Sequence, residues 1–319
     1  MDALLEQLKF ELLRFDAKEK SIETFFIGGG TPSTVLPKLY KPIFKLLQPY
    51  FMDDIEITTE ANPNSATLSW IEEMKDLGVN RISFGVQSFD DKKLKFLNRA
   101  HNSEDALRAV NDAYQAGIKN ISIDLIYATA MDTKELLKKD LEQAFSLPIN
   151  HISAYALTIE EGTLFEKTPE VAKEKLSLTN FVFETIKKHE FTQYEISNFG
   201  TYQSRHNLGY WQYKNYIGAG SGAVGCKDGV RYYSSTDIDF YIQNPLHVRE
   251  EVLNEAEQKA EKLFLGLRSV VGVDENIFNI DELKRAELLV NEDKLTKNGN
   301  RFYNNDYLLS DEIALFILN

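Results

Sequence analysis

The chain alternates between short segments with a two-residue hydrophobic period and longer segments with a helical period. The first pattern predicts strands at 24–27, 55–60, 81–87, 120–127, 151–158 and 193–197. The second predicts helices at 39–51, 67–77, 91–97, 103–116, 134–145 and 176–189. This alternation predicts an α/β protein in which helices cover a parallel sheet, either an open doubly wound sheet or a full or partial TIM-like barrel.

Three of the predicted strands are polar on one face and apolar on the other, whereas a parallel strand that is buried on both faces is apolar throughout. A barrel with a polar interior explains this pattern. Glu60, Gln87 and Asp124 lie at or near the carboxyl ends of their strands, where barrel enzymes bind their ligands. The alternative for each residue is a hydrogen-bonded structural side chain or a helix cap.

A glycine triplet follows the first predicted strand. Gly28, Gly29 and Gly30 separate an apolar run from Thr31. Residues without side chains expose their backbone N–H groups, so the polar head of a ligand can approach the main chain. The alternative is a tight turn that needs a positive φ.

Composition limits the partners and the compartment. The 319 residues are 43% hydrophobic and carry a formal net charge of −13, which disfavours nucleic acid as the main partner. The one cysteine, Cys226, excludes an internal disulfide and is typical of a reducing cytoplasm. No apolar run approaches the roughly 20 residues that span a membrane. We therefore expect a cytoplasmic protein without a membrane span, for which peripheral association is still open.

The last 76 positions, 244–319, differ in pattern from residues 1–243. Helices are predicted at 255–267, 282–290 and 310–318, and a hairpin is predicted around Asn298 and Gly299. These elements predict a small winged-helix-like module, in a chain divided into domains at 1–243 and 244–319. Since no basic recognition helix is present, a lid or docking surface is favoured over DNA binding.

Four motifs occur together and in order. They are Phe26-Ile27-Gly28-Gly29-Gly30-Thr31-Pro32-Ser33, Glu60-Ala61-Asn62-Pro63, Asn80-Arg81-Ile82-Ser83-Phe84-Gly85-Val86-Gln87-Ser88-Phe89 and Ile123-Asp124-Leu125-Ile126-Tyr127. With them the chain resembles the oxygen-independent coproporphyrinogen III oxidase-like radical S-adenosylmethionine (SAM) family, and most of all its branch of HemW-type haem chaperones. The resemblance implies a radical SAM barrel of the (β/α)6 type.

The resemblance also implies a binding site for SAM. The matching positions are Gly29, Gly30, Thr31, Glu60, Gln87, Arg99 and Asp124. SAM has an ammonium, a carboxylate and ribose hydroxyls, which suit an acidic side chain, a guanidinium and hydrogen-bond acceptors. Without the resemblance, Arg99 reads as a cation at the end of a helix.

The family's Cys-x3-Cys-x2-Cys loop, which ligates a [4Fe–4S] cluster, has no counterpart in this sequence, where no cysteine precedes Gly28. Either the chain begins at an internal methionine of a longer protein and has lost its first barrel strand, or it is a genuine short homologue. We favour the first interpretation, because a barrel without its first strand leaves an unpaired sheet edge. The chain as it stands is not expected to cleave SAM.

His206, Asn207, Tyr210 and Trp211 form a second constellation, which alone could be a turn packed on the core. An imidazole can ligate iron, and aromatic rings can pack on a macrocycle. The run matches the HNxxYW motif of the HemW branch, which implies that His206 is the axial ligand of haem iron. Tyr210 and Trp211 then pack on the haem, and Asn207 orients the ligand.

The function expected is that of a haem chaperone that passes haem to an unidentified acceptor protein, as a monomer or dimer and not as a catalyst. The alternative is an oxygen-independent coproporphyrinogen III oxidase. A third interpretation, a TIM-like phosphate enzyme that uses the glycine loop, predicts binding of phosphate ligands and no response to haem.

Overall fold

The computed structural model describes residues 1–159, 164–173 and 176–319. They divide into two compact units. The sheet unit comprises Thr24–Lys38 and Glu56–Gln203, and the second unit comprises Met1–Glu23, Leu39–Ile55 and Ser204–Asn319. This division differs from the predicted boundary at 243/244, which stays a prediction because the C-terminal residues also have a core of their own.

The described residues contain the following helices: α1 Asp2–Arg14, α2 Lys41–Leu47, α3 Leu68–Asp76, α4 Asp91–Phe96, α5 Ser103–Gln115, α6 Lys134–Phe145, α7 Leu176–Lys187, α8 Arg205–Trp211, α9 Ile238–Gln243, α10 Glu255–Leu267, α11 Ile280–Asn291 and α12 Ser310–Leu318. The strands of the main sheet are β1 Ile22–Ile27, β2 Phe51–Ala61, β3 Arg81–Gln87, β4 Asn120–Tyr127, β5 His151–Ala156, β6 Thr192–Gln193 and β7 Asn198–Gly200. The remaining strands are β8 Val224–Lys227, β9 Val230–Ser234, β10 Val248–Val252, β11 Val273–Asp274, β12 Leu295–Asn298 and β13 Arg301–Asn304.

The main sheet has the strand order β1-β2-β3-β4-β5-β7-β6. Its centre is parallel, since β2 pairs with β3, β3 with β4 and β4 with β5 in that sense. Strands β6 and β7 are antiparallel additions at one edge. The predicted parallel α/β architecture is therefore confirmed for β2 to β5.

Helix caps fix where the covering helices begin and end. The Thr67 hydroxyl accepts the Trp70 N–H at 3.2 Å at the start of α3, and Asn102 begins α5 with a capping box. Gly78 and Gly117, with φ of +113° and +87°, follow α3 and α5, in a left-handed conformation that costs glycine little. Each cap returns the chain directly to a strand, as the sequence predicts.

The two faces of the central strands differ as predicted. Ile82, Phe84 and Val86 on β3 are fully buried, as are Ile121 and Ile123 on β4. Burial of such side chains contributes about 1.5–3 kcal/mol each. The alternating positions carry the polar groups that form the candidate site.

The strand predicted at 193–197 is wrong. Gln193 ends β6, and residues 194–197 form the turn to β7. In this turn the Glu195 carboxylate accepts the Ser197 N–H at 3.2 Å, and the Gln193 amide donates to the Ile196 carbonyl at 3.2 Å. Local side-chain hydrogen bonds of this kind compete with strand pairing.

The second unit contains two small antiparallel sheets, ordered β10-β9-β8 and β11-β13-β12. The latter packs with α10, α11 and α12 around a core whose buried members include Leu263, Ala286, Phe302 and Ile317. The predicted hairpin is confirmed, since β12 and β13 pair antiparallel around Asn298 and Gly299. No helix in the described part of the chain has the length and apolar character that crossing a membrane requires.

Candidate functional site

Glu60 and the glycine loop meet at the end of β2. The Gly29 N–H donates to Glu60 Oε2 at 3.1 Å. Gly29 and Gly30 have φ of +79° and +59°, and the space where their Cβ atoms would lie is open. The loop therefore has an uncovered backbone surface beside a carboxylate, which suits a polar ligand with an ammonium group.

Side chains hold the glycine loop against the segment after β2. The Thr31 hydroxyl accepts from the Asn62 amide at 3.4 Å. Ser33 Oγ accepts the Asn62 N–H at 3.0 Å and lies 2.6 Å from Ser65 Oγ. The loop is thus fixed by several hydrogen bonds, and its residues Gly29, Gly30 and Thr31 lie together.

Gln87 ends β3 in an unusual conformation. Its φ is +66°, and the register of β3 against β4 shifts between Phe84 and Gln87. Gln87 Nε2 lies 3.0 Å from the position that a Cβ on Gly85 would take. The glycine leaves room for the amide to fold back over the strand, and this turns the buried Gln87 toward the polar face.

Asp124 lies at the centre of the polar face, where it accepts the Ser83 hydroxyl at 3.3 Å. Burial raises the pKa of Asp124 to about 6, and the Glu60 carboxylate raises it further, while Ser153 and Arg81 oppose the shift. Two predicted site residues, Glu60 and Asp124, are thus close enough to interact electrostatically.

Arg99 lies just beyond the end of α4. Asn98 takes a left-handed conformation with φ +55°, and the Arg99 N–H donates to the Leu94 carbonyl at 2.9 Å. Burial lowers the pKa of Arg99, and the charge of Asp124 opposes that shift. The guanidinium therefore interacts with Asp124, which is more than the role of a cation at a helix end.

Sequence reasoning missed further polar residues of the same face. Burial raises the pKa of Glu195 to about 7, and its side chain is 1% exposed. Tyr155 interacts electrostatically with both Asp124 and Glu195, and its hydroxyl bonds to Ser153 and Asn198. Polar and apolar residues alternate on β5 as they do on β3 and β4. This alternation is the signal by which Ser153 and Tyr155 could have been assigned to the polar face from the sequence.

His151, for which the sequence predicts no functional role, lies among polar residues. Its ring nitrogens lie 2.7 Å from Ser122 Oγ and 2.7 Å from the Tyr194 hydroxyl. Burial lowers its pKa well below the ordinary value, with a contribution from Arg81. A neutral imidazole with both nitrogens bonded has a structural role.

The second constellation lies on α8, in the second unit. The Ser204 hydroxyl accepts the Asn207 N–H at 3.3 Å and begins the helix. His206 Nε2 lies 3.1 Å from the Tyr210 hydroxyl, and the Tyr210 ring makes an edge contact with Tyr216 at 4.7 Å between centroids. Tyr210 is 40% exposed, and His206 is half-buried.

The four predicted haem residues form two neighbouring rows on the helix. His206 and Tyr210 are four positions apart and share one row, and Asn207 and Trp211 share the next. Trp211 lines a cavity of about 460 Å³. The four residues therefore lie on one helix, and their role in haem binding stays a prediction.

The glycine-rich segment 218–223, just before β8, is held by close backbone packing and by a hydrogen bond. A Cβ on Gly218 would lie 2.1 Å from the Val224 carbonyl oxygen, and the Gly220 N–H donates to the Gln7 side chain at 2.9 Å. Cys226 is buried in β8, and burial raises the pKa of its thiol. A protonated, buried thiol is unsuited to ligating iron.

The sequence matches a family model and several known proteins. A model of the radical SAM superfamily matches residues 3–144. The chain is 34% identical over 289 residues to the haem chaperone HemW of Lactococcus lactis subsp. lactis, covering 86% of this chain and 75% of that protein. It is 34% identical over 299 residues to HemW of Bacillus subtilis, covering 87% and 78%.

A solved structure shares the fold. Escherichia coli HemN, a coproporphyrinogen III oxidase and radical SAM enzyme, superposes with a TM-score of 0.81 at 17% identity, over 99% of this chain and 82% of that chain. At this identity the likeness shows a radical SAM fold and leaves the reaction open.

Proposed function

Because the chain belongs to the HemW family of haem chaperones within the radical SAM superfamily, we propose that it binds haem on α8 and passes it to an acceptor protein. The observation that carries this proposal is that His206 and Tyr210 lie together on a helix without buried residues, where Nε2 would exchange the Tyr210 hydroxyl for haem iron. Imidazole is a common axial ligand of haem iron. The neighbouring Asn207 and Trp211 supply a polar group and a planar surface.

The proposal includes a SAM site on the polar face of the sheet unit. Gly29, Gly30 and Thr31 would take the amino-acid end of SAM, with Glu60 beside the ammonium. Arg99 would pair with the carboxylate, and Gln87 and Asp124 would accept hydrogen bonds from the ribose. The open backbone at the glycine loop and the mutual interaction of Glu60, Asp124 and Arg99 fit such a ligand.

The residues present do not fit a [4Fe–4S] cluster. The sequence contains one cysteine, and the described residues contain no group of three His, Cys, Asp or Glu side chains that could hold a metal ion. We therefore derive no radical step for this chain. The proposed architecture is a partial (β/α)6 barrel, followed by a winged-helix-like module at 244–319.

Titration of the purified chain with hemin, followed by the Soret band, tests the proposed function. We expect a saturable Soret shift, and we expect His206→Ala to weaken hemin binding at least tenfold, because the variant lacks the axial ligand. His247→Ala is the matched control, since His247 is exposed in the same unit and contacts the Phe240 ring.

Two results would contradict the proposal. One is a His206→Ala variant that binds hemin as tightly as the wild type. The other is conversion of coproporphyrinogen III to protoporphyrinogen by the chain, which the oxidase alternative predicts.

A further inference from the structure

The cavity beside α8 contains groups that the proposed haem ligands do not use. It has a volume of about 460 Å³, and its walls include Trp211, Tyr213, Gln258, Lys262, Asp274 and Arg301. All of these residues belong to the second unit. Two aromatic side chains and two cations thus surround one space that opens next to the Asn207 and Trp211 row of α8.

Three of the four charged groups in the walls already have partners. Arg301 donates to the carbonyls of Val271 and Gly272 at 3.0 and 3.1 Å, and Arg301 Nη1 lies 3.7 Å from Asp274 Oδ2. Asp228, at the margin, accepts from the Asn215 amide at 2.9 Å. The acidic groups are therefore compensated by donors within the walls.

Lys262 differs from these groups. Its side chain is exposed, and its ammonium lies 5.1 Å from the centroid of the Tyr213 ring. Among the described residues it forms no ion pair, whereas the nearby Lys259 is bound to Glu282. The cavity thus presents one cation that is available to a carboxylate.

Tyr213 is held rigidly under that cation. Its backbone is left-handed, with φ +58°, and the Lys214 N–H closes the end of α8 by donating to the Gly209 carbonyl at 3.0 Å. The Tyr213 hydroxyl donates to Glu261 Oε2 at 3.0 Å. A side chain fixed at both ends loses little entropy when a planar ligand packs on it.

We propose that this cavity receives the carboxylate-bearing edge of haem, with Lys262 paired to a propionate and with Trp211 and Tyr213 packed on the ring. The inference rests on the proposed function and extends it to a second set of residues. Haem carries two carboxylates on one edge of a flat macrocycle, so a cation next to aromatic surfaces matches that edge in charge and shape. Since Lys262 is solvent-exposed, its contribution is modest and is best measured by charge reversal.

The test compares hemin with hemin dimethyl ester, which lacks the carboxylate charges, by Soret titration of the full chain. We expect Lys262→Glu to weaken hemin binding about tenfold and to leave ester binding within twofold of the wild type. Lys284→Glu is the matched control, because Lys284 is an exposed lysine in the same unit, paired with Asp281. This control should bind both ligands as the wild type does.

The outcomes separate the two proposals. If the wild type binds hemin, His206→Ala weakens binding, and Lys262→Glu binds hemin normally, the cavity assignment is overturned while the chaperone function stands. An equal loss for hemin and its ester in Lys262→Glu overturns the assignment too, since the charge is then not what is recognised. If the wild type shows no saturable hemin binding, both proposals fail.

Discussion

At the scale of single residues, the SAM site depends on how one carboxylate is placed. Glu60 Oε2 accepts the Gly29 N–H at 3.1 Å, and the carboxylate also acts on Asp124. Gly28 makes this possible, because a Cβ there would lie 2.3 Å from the Phe26 ring and 3.1 Å from Glu60 Oε2.

We therefore expect Gly28→Ala to reduce SAM affinity at least tenfold, since the added methyl group displaces Phe26 and Glu60. Equilibrium dialysis with labelled SAM measures this change. Gly209→Ala, in the other unit and with open space where the added Cβ would lie, is the control and should bind SAM normally. Unchanged SAM binding by Gly28→Ala would show that SAM affinity does not depend on the present position of Glu60.

The buried carboxyl of Glu195 predicts a pH dependence of stability. Its folded-state pKa, raised to about 7 from 4.5 by burial, favours the protonated form in the folded chain. The stability that this group contributes is complete below pH 4.5 and is lost as pH rises through about 7.

Glu195→Gln removes this titration, so we expect its free energy of unfolding to exceed that of the wild type by roughly 1–3 kcal/mol at pH 8, and by much less at pH 4.5. Urea unfolding at the two pH values measures the difference. Glu142→Gln, with a 61% exposed side chain on α6, serves as the control. A gain at pH 8 that persists undiminished at pH 4.5 would exclude ionisation as its cause.

At the scale of elements, the sequence predicted most where the hydrophobic period and the caps agree. The bounds of β3, β4 and α6 match the predicted ones. Gly78 and Gly117 mark the ends of α3 and α5, just before β3 and β4 begin, and the alternation of apolar and polar residues marks the strands themselves. Parity also predicted that Glu60, Gln87 and Asp124 share one polar face, and the electrostatic interaction of Glu60 with Asp124 supports this for two of them. Local pattern could not place Glu195, because it stands on a turn whose position depends on the pairing of β7 with β5.

Helix α8 gives a prediction at the same scale. Gly209 lies inside the helix, and an added Cβ would meet nothing within 4 Å. Gly209→Ala should therefore raise the free energy of unfolding by about 0.5–1 kcal/mol and leave hemin affinity unchanged. Gly218→Ala is the contrast, because its Cβ would meet the Val224 carbonyl oxygen at 2.1 Å, and it should destabilise the chain. Thermal unfolding monitored by circular dichroism distinguishes the two variants. A destabilised Gly209→Ala would mean that the helix needs flexibility at this position.

At the scale of the whole molecule, the two proposed ligands are assigned to different units. The SAM residues lie in Thr24–Lys38 and Glu56–Gln203, and the haem residues lie in Ser204–Asn319. We expect SAM to slow amide hydrogen exchange in 28–31 and at the carboxyl ends of β2 to β4. Hemin should slow exchange in α8 and in the first turns of α10.

Mass spectrometry of exchanged peptides can map both effects in the same sample. His206→Ala should abolish the hemin effect and keep the SAM effect. Slower exchange in 28–31 on addition of hemin alone would contradict the assignment of haem to the second unit.

The side chain of Gln7 has a consequence for how the chain is made. Gln7 is fully buried in α1, donates to Ser234 Oγ at 2.9 Å, and accepts from the Gly220 N–H at 2.9 Å and the Tyr241 hydroxyl at 2.8 Å. These partners follow it by 213 to 234 positions, so a ribosome must add all the residues in between before they exist. Helix α1 thus emerges long before the residues that hold it in place, and the nascent chain has to keep its apolar side covered until then.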